Sequence, residues 1–256
     1  MTERISGKNG SYLNLYPDSS YDPTVFERPT LTADILIFRL DPNTRSLDRL
    51  QVLLIQRKFD PYAGCFAFPG GFVNISDRES ADHAALRELE EETSIPMGTV
   101  PLHQFKTYAS YARDPRWYTA DVAYFCLLHH DQADALPIQA NDDAATAQWV
   151  TVSTALAGTM AFDHHVILSD MLAYLQKHAW DEEILRGLAI SPKDNTFTMR
   201  DVHGAYEALR GPMDLSNFGR MFKHRFAYDY SDSYALSFLR GRRPTRQCIF
   251  RGTLDN

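Results

Sequence analysis

FPGGFVNISDRESADHAALRELEEETSI (Phe68–Ile95) sets a Gly pair, Gly70-Gly71, ahead of Glu79 and then crowds Glu88, Glu90, Glu91 and Glu92 beside Arg87. At about 100° per residue on a helix, Glu88, Glu91 and Glu92 share one face, because positions i, i+3 and i+4 are neighbours. Ala81, Ala85 and Leu89 fall on a different stripe and can face a core. Three carboxylates this close repel one another unless a cation sits among them. Hard divalent ions such as Mg²⁺ or Mn²⁺ prefer oxygen ligands of this kind. Gly70 and Gly71 let backbone approach a ligand closely and supply N–H groups near the helix start. Spacing alone leaves two readings: a site for a metal and a phosphate-bearing ligand, or an acidic, solvated helix face.

Around this stretch the chain reads as strands. TADILIFRL (32–40) and QVLLIQRK (51–58) are joined by a polar turn, and CFAF leads into Pro69 and the Gly pair. A helix is expected from Ser80 to Thr93, followed by strands in HQFKTYAS, WYTADVAYFCLL and ATAQWVTV. Several strands with one acidic helix make this part α/β or α+β. Residues 1–28, rich in Tyr, Ser, Asp and Pro without a period, read as an N-terminal arm.

Past Gly158 the character turns helical. AFDHHVILSDMLAYLQKHA carries Asp163 as N-cap and apolar residues at 166, 167, 171, 172 and 175, and DEEILRGLAI is a short second helix. TMRDVHGAYEALRG opens with a Thr198/Asp201 capping box and closes at Gly211-Pro212. DLSNFGRMFKHRF starts at Asp214 with Leu215, Phe218 and Phe222 on one face, and YALSFLRGRRPTRQCIF reads as a hairpin with a basic tip. The order is that of a winged helix-turn-helix, with 214–225 as recognition helix. Ser216, Asn217, Arg220 and Lys223 lie off its apolar stripe and suit a major groove, while Arg242, Arg243 and Arg246 suit phosphate or minor-groove contact.

Charge supports two jobs in one chain. The net charge is −7, yet residues 216–251 hold eight Lys/Arg against two Asp, a local +6 that leaves −13 for the rest. At 256 residues and 44% hydrophobic the chain can bury one large core or two smaller ones. It has no run of roughly 18–20 apolar residues, so no membrane span is expected. MTERISGKNG lacks the apolar core of a signal peptide. Cys65, Cys126 and Cys248 form no CxxC pair, so neither a disulfide framework nor a zinc site is indicated, and a cytoplasmic protein is expected. His129-His130 and His164-His165 lack helical metal-pair spacing and read as a strand end and a helix start.

Gly, spacer, Glu79, seven residues, then RELEEETSI resembles the Nudix box of the Nudix hydrolases, matching at Arg87, Glu88, Leu89, Glu91, Glu92 and Ile95. The resemblance implies an α/β/α sandwich around a mixed sheet. It also implies that Glu88, Glu91 and Glu92 hold divalent metal and that Glu79 pairs with Arg87 to orient the loop, the five forming a catalytic set. Ser94 stands where the family has Gly, and the spacer from Gly71 to Glu79 is two residues longer than usual. LIQRK, CFAFPGGFVN, RDPRWYTADVAYFCLL and AFDHHVIL are similar to the Nudix-related regulators of NAD metabolism, the NrtR family. That implies an ADP-ribose-sensing Nudix domain (29–158), a winged helix (159–256) that binds a double-stranded DNA operator, and a homodimer. Arg113 and Arg116 then lie between two Nudix strands where family ligands bind, and two guanidinium groups there can grip a pyrophosphate. Arg57, Gly70, Gly71 and Phe72 complete the expected pocket. A ligand-responsive regulator, read as a repressor, is the first expectation. The alternative is a Mg²⁺-dependent hydrolase acting on ADP-ribose or another nucleoside diphosphate derivative.

Overall fold

A computed structural model of the chain describes residues 26–44, 46–140, 144–237 and 243–254; nearly all of the expected arm, and Arg242 of the basic tip, lie outside them. The organising element is β1 (Thr30–Leu40), an apolar strand buried on both faces over most of its length. Such a strand belongs at the centre of a sheet. Along one edge it pairs in parallel with β6 (Thr119–Leu128) over its whole length. Its other edge is split. Phe38–Leu40 pair with β2 (Leu50–Arg57), whereas Thr32–Asp34 pair with β4 (Gly70–Phe72). The split opens the sheet where the Gly pair enters. β5 (His103–Ser110) adds beyond β6, and β3 (Phe66–Ala67) and β7 (Ala144–Thr151) pair with β2, giving a mixed seven-stranded sheet.

Alternation along β1 supplies two cores. Ile35 and Ile37 face α1 (Ala81–Thr93) through Ala84, Ala85 and Leu89, with α2 (His130–Asp134) at the edge of this layer. Leu36 and Phe38 face the opposite layer, made of α3 (Val152–Ala157), α4 (His164–Lys177) and α5 (Glu182–Ala189). The result is the expected α/β/α sandwich. The second core does not end with the sheet. It continues through Leu175, Leu185 and Leu188 to a three-stranded sheet and two further helices: β8 (Thr196–Thr198), α6 (Met199–Arg210), α7 (Leu215–Arg225), β9 (Phe226–Ala235) and β10 (Thr245–Thr253). The expected capping box is present: Thr198 Oγ1 accepts from Asp201 N, and Thr198 N donates to Asp201 Oδ2 at 2.9 Å.

The structure corrects several expectations. Asp163 precedes α4 but makes no side-chain cap, because its carboxylate is taken by Arg113. On α4, Val166 is exposed and Leu168 is buried, so the core stripe is shifted from the one read from the apolar pattern. The short elements α2, α3 and β8 were not foreseen, and β9 begins directly after α7, eight residues before the expected hairpin. No helix among the described residues is long and apolar enough to cross a membrane.

Gly187 sets how closely α5 sits on the sheet, since a Cβ there would meet Leu127 Cβ at 2.4 Å. Gly187→Ala should therefore force α5 off β6 despite alanine's better helix propensity. We expect a loss of about 1–3 kcal/mol in urea unfolding, the range for overpacked cores. An unchanged or raised midpoint would show that the helix yields freely.

Candidate functional site: an acidic cleft and a basic helix-hairpin face

The acidic helix begins at Ser80, whose Oγ accepts from His83 N, and ends at Ser94, which takes the left-handed conformation (φ 63°) that the family's Gly would adopt. The side chain that organises it is Arg87. Its guanidinium donates to Glu79 Oε1 (2.8 Å) and Oε2 (3.1 Å), to Glu88 Oε1 and Glu91 Oε2 (both 2.8 Å), and to the Phe72 carbonyl (2.9 Å). The longer spacer does not break this pairing. A 3-10 turn at Ile75–Asp77 and a left-handed Arg78 (φ 60°) absorb the extra residues, and Asn74 N donates to Glu79 Oε2 at 2.8 Å. Hydrogen bonds from Arg87 hold the Glu79 carboxyl down at about 2, against burial.

Above this helix the two glycines are required by close approach. A Cβ on Gly71 would meet the Glu88 carboxylate at 2.5 Å, and one on Gly70 (φ 156°) would meet Asp34 Oδ1 at 2.3 Å. Gly70 N donates to Glu92 Oε2 at 2.9 Å. Glu92 is only 5% exposed, and burial pushes its carboxyl up to about 8 although the Gly70 N–H works the other way. Burial also raises Glu88, opposed by Arg87. Glu88 and Glu92 line a cleft of about 200 Å³ together with Arg57, Gly70, Gly71, Phe72, Arg113 and Arg116. Every residue expected in the ligand pocket is thus in one place. Glu91 is turned away to Arg87 and does not line it.

The two arginines of Arg113-Asp114-Pro115-Arg116 differ. Arg113 is 6% exposed and already engaged: Nε and Nη2 donate to Asp163 Oδ2 (3.1 Å) and Oδ1 (2.9 Å), with Asp121 3.7 Å away. Arg116 is held by Asp114 (3.0 and 2.8 Å) with its guanidinium over the Phe72 and Phe162 rings. Arg57 also lies over Phe162, 5.1 Å from its centroid. Arg57 and Arg116 are therefore the cations presented to the cleft, and Arg113 belongs to its floor. Phe72, 39% exposed, is a wall of the cleft and not a core residue.

That floor was not read from the sequence. His164 Nδ1 accepts from Phe68 N (3.1 Å), so its proton sits on Nε2, which faces Asp34 Oδ2 at 3.3 Å. Thr32 Oγ1 donates to Asp121 Oδ1 at 3.0 Å. Asp121 is raised well above the usual range by burial and by Asp34. Asp34, despite complete burial, is lowered by His164 and Arg113. A signal existed: Thr-Ala-Asp occurs at 32–34 and at 119–121, an acid inside each of two apolar runs, and the two strands are parallel neighbours.

Buried Glu88 and Glu92 suit a hard cation, since each is costly to ionise without positive charge beside it. Glu91 would have to leave Arg87 to join them. Among the described residues, three metal-ligating side chains with ligand atoms within 4.8 Å of one another occur at His129, His130 and Asp131. A strand ends there, as expected, and the unforeseen α2 follows, while the expected helix start is at His164; burial lowers His129 to about 4.

In the second region Asp214 caps α7, with Asn217 N donating at 3.0 Å, and Phe218 and Phe222 are fully buried. Ser216, Asn217, Arg220 and Lys223 are exposed on α7, and Arg243 and Arg246 are exposed at the hairpin. Arg220 donates to Asn217 Oδ1, and Arg246 Nε donates to the Ser231 carbonyl at 2.6 Å.

The NUDIX domain model matches residues 30–171, more than half of the chain. The chain belongs to the Nudix family. It is 30% identical to the ADPR responsive transcriptional repressor NtrR of Acinetobacter baylyi over 93% of this chain and 88% of that protein, which places it with the NrtR-type regulators. The crystal structure of Shewanella oneidensis NrtR complexed with a 27mer DNA is similar in fold across both regions: TM-score 0.63, 22% identity, 88% of this chain and 99% of that one. The NUDIX domain of the same Shewanella protein, complexed with ADP ribose, aligns at TM-score 0.52 and 27% identity over 61% of this chain and 94% of that one. Enzymes of this family commonly use divalent metals.

The buried Glu92 makes stability depend on pH. The folded carboxyl keeps its proton to about pH 8, while the unfolded one titrates near 4.5. Its contribution is fully present below about 4.5 and is lost as the pH rises through about 8. Melts of metal-free protein should fall in Tm over that window, and Glu92→Gln should flatten the fall. A wild-type profile no steeper than the variant's would place the carboxyl back at its ordinary value.

Proposed function

We propose that this chain is a cytoplasmic, ADP-ribose-responsive repressor. Its residues 29–158 bind the nucleotide and its residues 159–256 bind an operator duplex as part of a homodimer. The observation that carries the reading is α4, which starts beside the cleft, packs on α6, and leads through the segment that follows it to the recognition helix α7. Phe162 and His164 line the cleft, and Asp163 holds Arg113. Midway, Asp170 accepts from Lys106 Nζ (2.6 Å) and Tyr108 Oη (3.0 Å), tying α4 to β5. Just past its end, Trp180 stacks on Phe218 of α7 (5.0 Å, 17°) and packs on Tyr206 of α6 (4.8 Å). A diphosphate held by Arg57 and Arg116 lies beside the Arg113–Asp163 pair. It shifts α4 only by the difference in its affinity for two placements of that helix.

The intact acids favour a second reading, retained hydrolysis. Mg²⁺ or Mn²⁺ held by Glu88 and Glu92, joined by Glu91, would stabilise charge on a diphosphate and make a bound water more acidic. Arg87 keeps Glu79, Glu88 and Glu91 in register, and Arg57 and Arg116 orient the diphosphate. Burial raises Glu92 to about 8 without a cation, and a cation beside it would draw it down to the ionised form that a ligand must have.

A gel shift on the protein's own upstream DNA tests the first reading. ADP-ribose should weaken binding about 5–150-fold, the usual span of coupling between sites. Asp163→Asn should keep DNA affinity yet reduce that factor, because α4 loses its tie to the cleft floor. Equal factors in both proteins would remove α4 from the route, and no response in the wild type would leave the hydrolase reading in its place.

Arg116→Ala should weaken ADP-ribose binding by about 1.5–3 kcal/mol in calorimetry, the range for a hydrogen bond to a charged group. Unaltered affinity would mean that Arg116 serves only Asp114.

A further inference from the structure

His129 and His130 lack the spacing of a metal pair on a helix, yet the structure brings them together by another route. β6 ends at Leu128 and α2 begins at His130, with His129 as its extended N-cap (φ −57°, ψ 145°). On a continuing strand, adjacent side chains point to opposite faces. Here the chain turns from strand to helix between them, and the two rings lie 4.3 Å apart, tilted by 33°. The Asp131 carboxylate spans both: Oδ1 is 3.0 Å from His130 Nδ1, and Oδ2 is 3.5 Å from His129 Nδ1.

One of these contacts joins two acceptors. Asp131 N donates to His129 Nδ1 at 3.4 Å, so that nitrogen presents its lone pair, and it faces a carboxylate oxygen. Two acceptors face one another favourably only with a cation between them. A proton does not serve at neutral pH, because burial lowers His129 to about 4. Among the described residues, the charges acting on His129 are those of His130, Asp131 and Asp194, and no lysine or arginine is among them. A metal ion is the remaining choice, and the distances suit it. Bonds of about 2.0–2.2 Å at tetrahedral angles set neighbouring donors roughly 3.3–3.6 Å apart. The contacts at 3.0 and 3.5 Å need only a few tenths of an ångström of adjustment to match.

The donor set also names the class of ion. Imidazole suits Zn²⁺, Ni²⁺ and Cu²⁺, whereas the all-oxygen acids of the cleft suit Mg²⁺ or Mn²⁺. The two places are well separated. Thr119, at the first residue of β6, lines the cleft, and His129 follows the strand's last residue, roughly 30 Å away.

We propose that His129, His130 and Asp131 bind one borderline divalent cation, Zn²⁺ or Ni²⁺, at the end of β6 remote from the cleft, with solvent completing its shell. The exposed Asp131 leaves the site open to exchange. The ion ties the end of β6 to α2, whose Asp134 is already held by Arg39 of β1 at 2.6 Å. The assignment stands apart from the ADP-ribose and DNA readings and does not depend on them.

Calorimetry on the tag-free, full-length protein with Mg²⁺ saturating should show one Zn²⁺ bound per chain, and Zn²⁺ should raise the Tm. His130→Gln and Asp131→Asn should each weaken that binding about tenfold or more, since loss of even the outer partners of a metal site costs 10–100-fold. Both should melt with the wild type in EDTA, and His165→Gln, at an exposed histidine outside the site, should bind Zn²⁺ as the wild type does. Ring ¹⁵N spectra of the wild type give a reading that needs no variant: Zn²⁺ should shift two of the nine histidines. Zn²⁺ binding that survives in both variants, a spectrum in which fewer than two rings shift, or a wild type that takes up no Zn²⁺ in the presence of Mg²⁺ overturns the site. Each of these outcomes leaves ADP-ribose and DNA binding, measured in EDTA, where they were.

Discussion

Arg87 is the constraint on which the cleft depends. One guanidinium hydrogen-bonds Glu79, Glu88 and Glu91 while its last N–H holds the Phe72 carbonyl. Its planar fork can bind in several directions at once, which a lysine could not do. Through Glu79 it closes the loop after β4, and through Phe72 it fixes β4 itself. It thereby holds Gly70 and Gly71 over the helix at the distance that Glu88 and Glu92 require. Glu92 is the one carboxylate of the face that Arg87 does not touch. Left with a single backbone N–H and deep burial, it is raised to about 8.

A second cation does comparable work beneath the cleft. Arg113 sits among Asp34, Asp121 and Asp163, and removing one partner from such a buried set costs about 3–5 kcal/mol, because the remainder is left uncompensated. The same cost makes Arg113 a poor candidate to leave for a ligand. Its presence in the loop before β6 reflects the anchoring of α4, while Arg57 and Arg116, on the aromatic faces of Phe162 and Phe72, are the cations that the cleft presents. Two arginines three residues apart have different duties, set by which of them the sheet covers.

Much of this was legible in the sequence, and the limits have physical causes. The acidic helix, its Ser80 start and left-handed Ser94, the strand at 103–110 and the Thr198–Asp201 box are local: a few neighbouring residues decide them. The pocket residues could be named because the Gly pair and its flanking strands carry a specific pattern. Hidden from a linear reading was whatever depends on two distant segments meeting. Asp163 looks like a helix cap until Arg113, 50 residues earlier, is brought against it. Asp34 and Asp121 look like isolated polar residues until β1 and β6 lie side by side. Glu91 matches the metal-binding pattern as well as Glu92 does, and only the helix's placement under Gly70 separates them. Short elements such as α2, α3 and β8 fall below the length at which periodicity carries information.

The distribution of charge bears on how the two regions can communicate. The C-terminal segment carries +6 and the rest of the chain −13, so the chain is strongly polarised along its sequence. Direct electrostatic influence of one ligand on the other is short-ranged, because at physiological salt it is screened over about 8 Å. α4 alone spans 14 residues, roughly 21 Å at 1.5 Å per residue. A signal between the cleft and α7 must therefore be mechanical. The route with continuous packing runs from the Arg113–Asp163 pair along α4, braced on β5 through Asp170, to the ring of Trp180 on Phe218. The ends of that route, Asp163 and Trp180, lie just outside α4, and Asp170 braces the helix midway on β5.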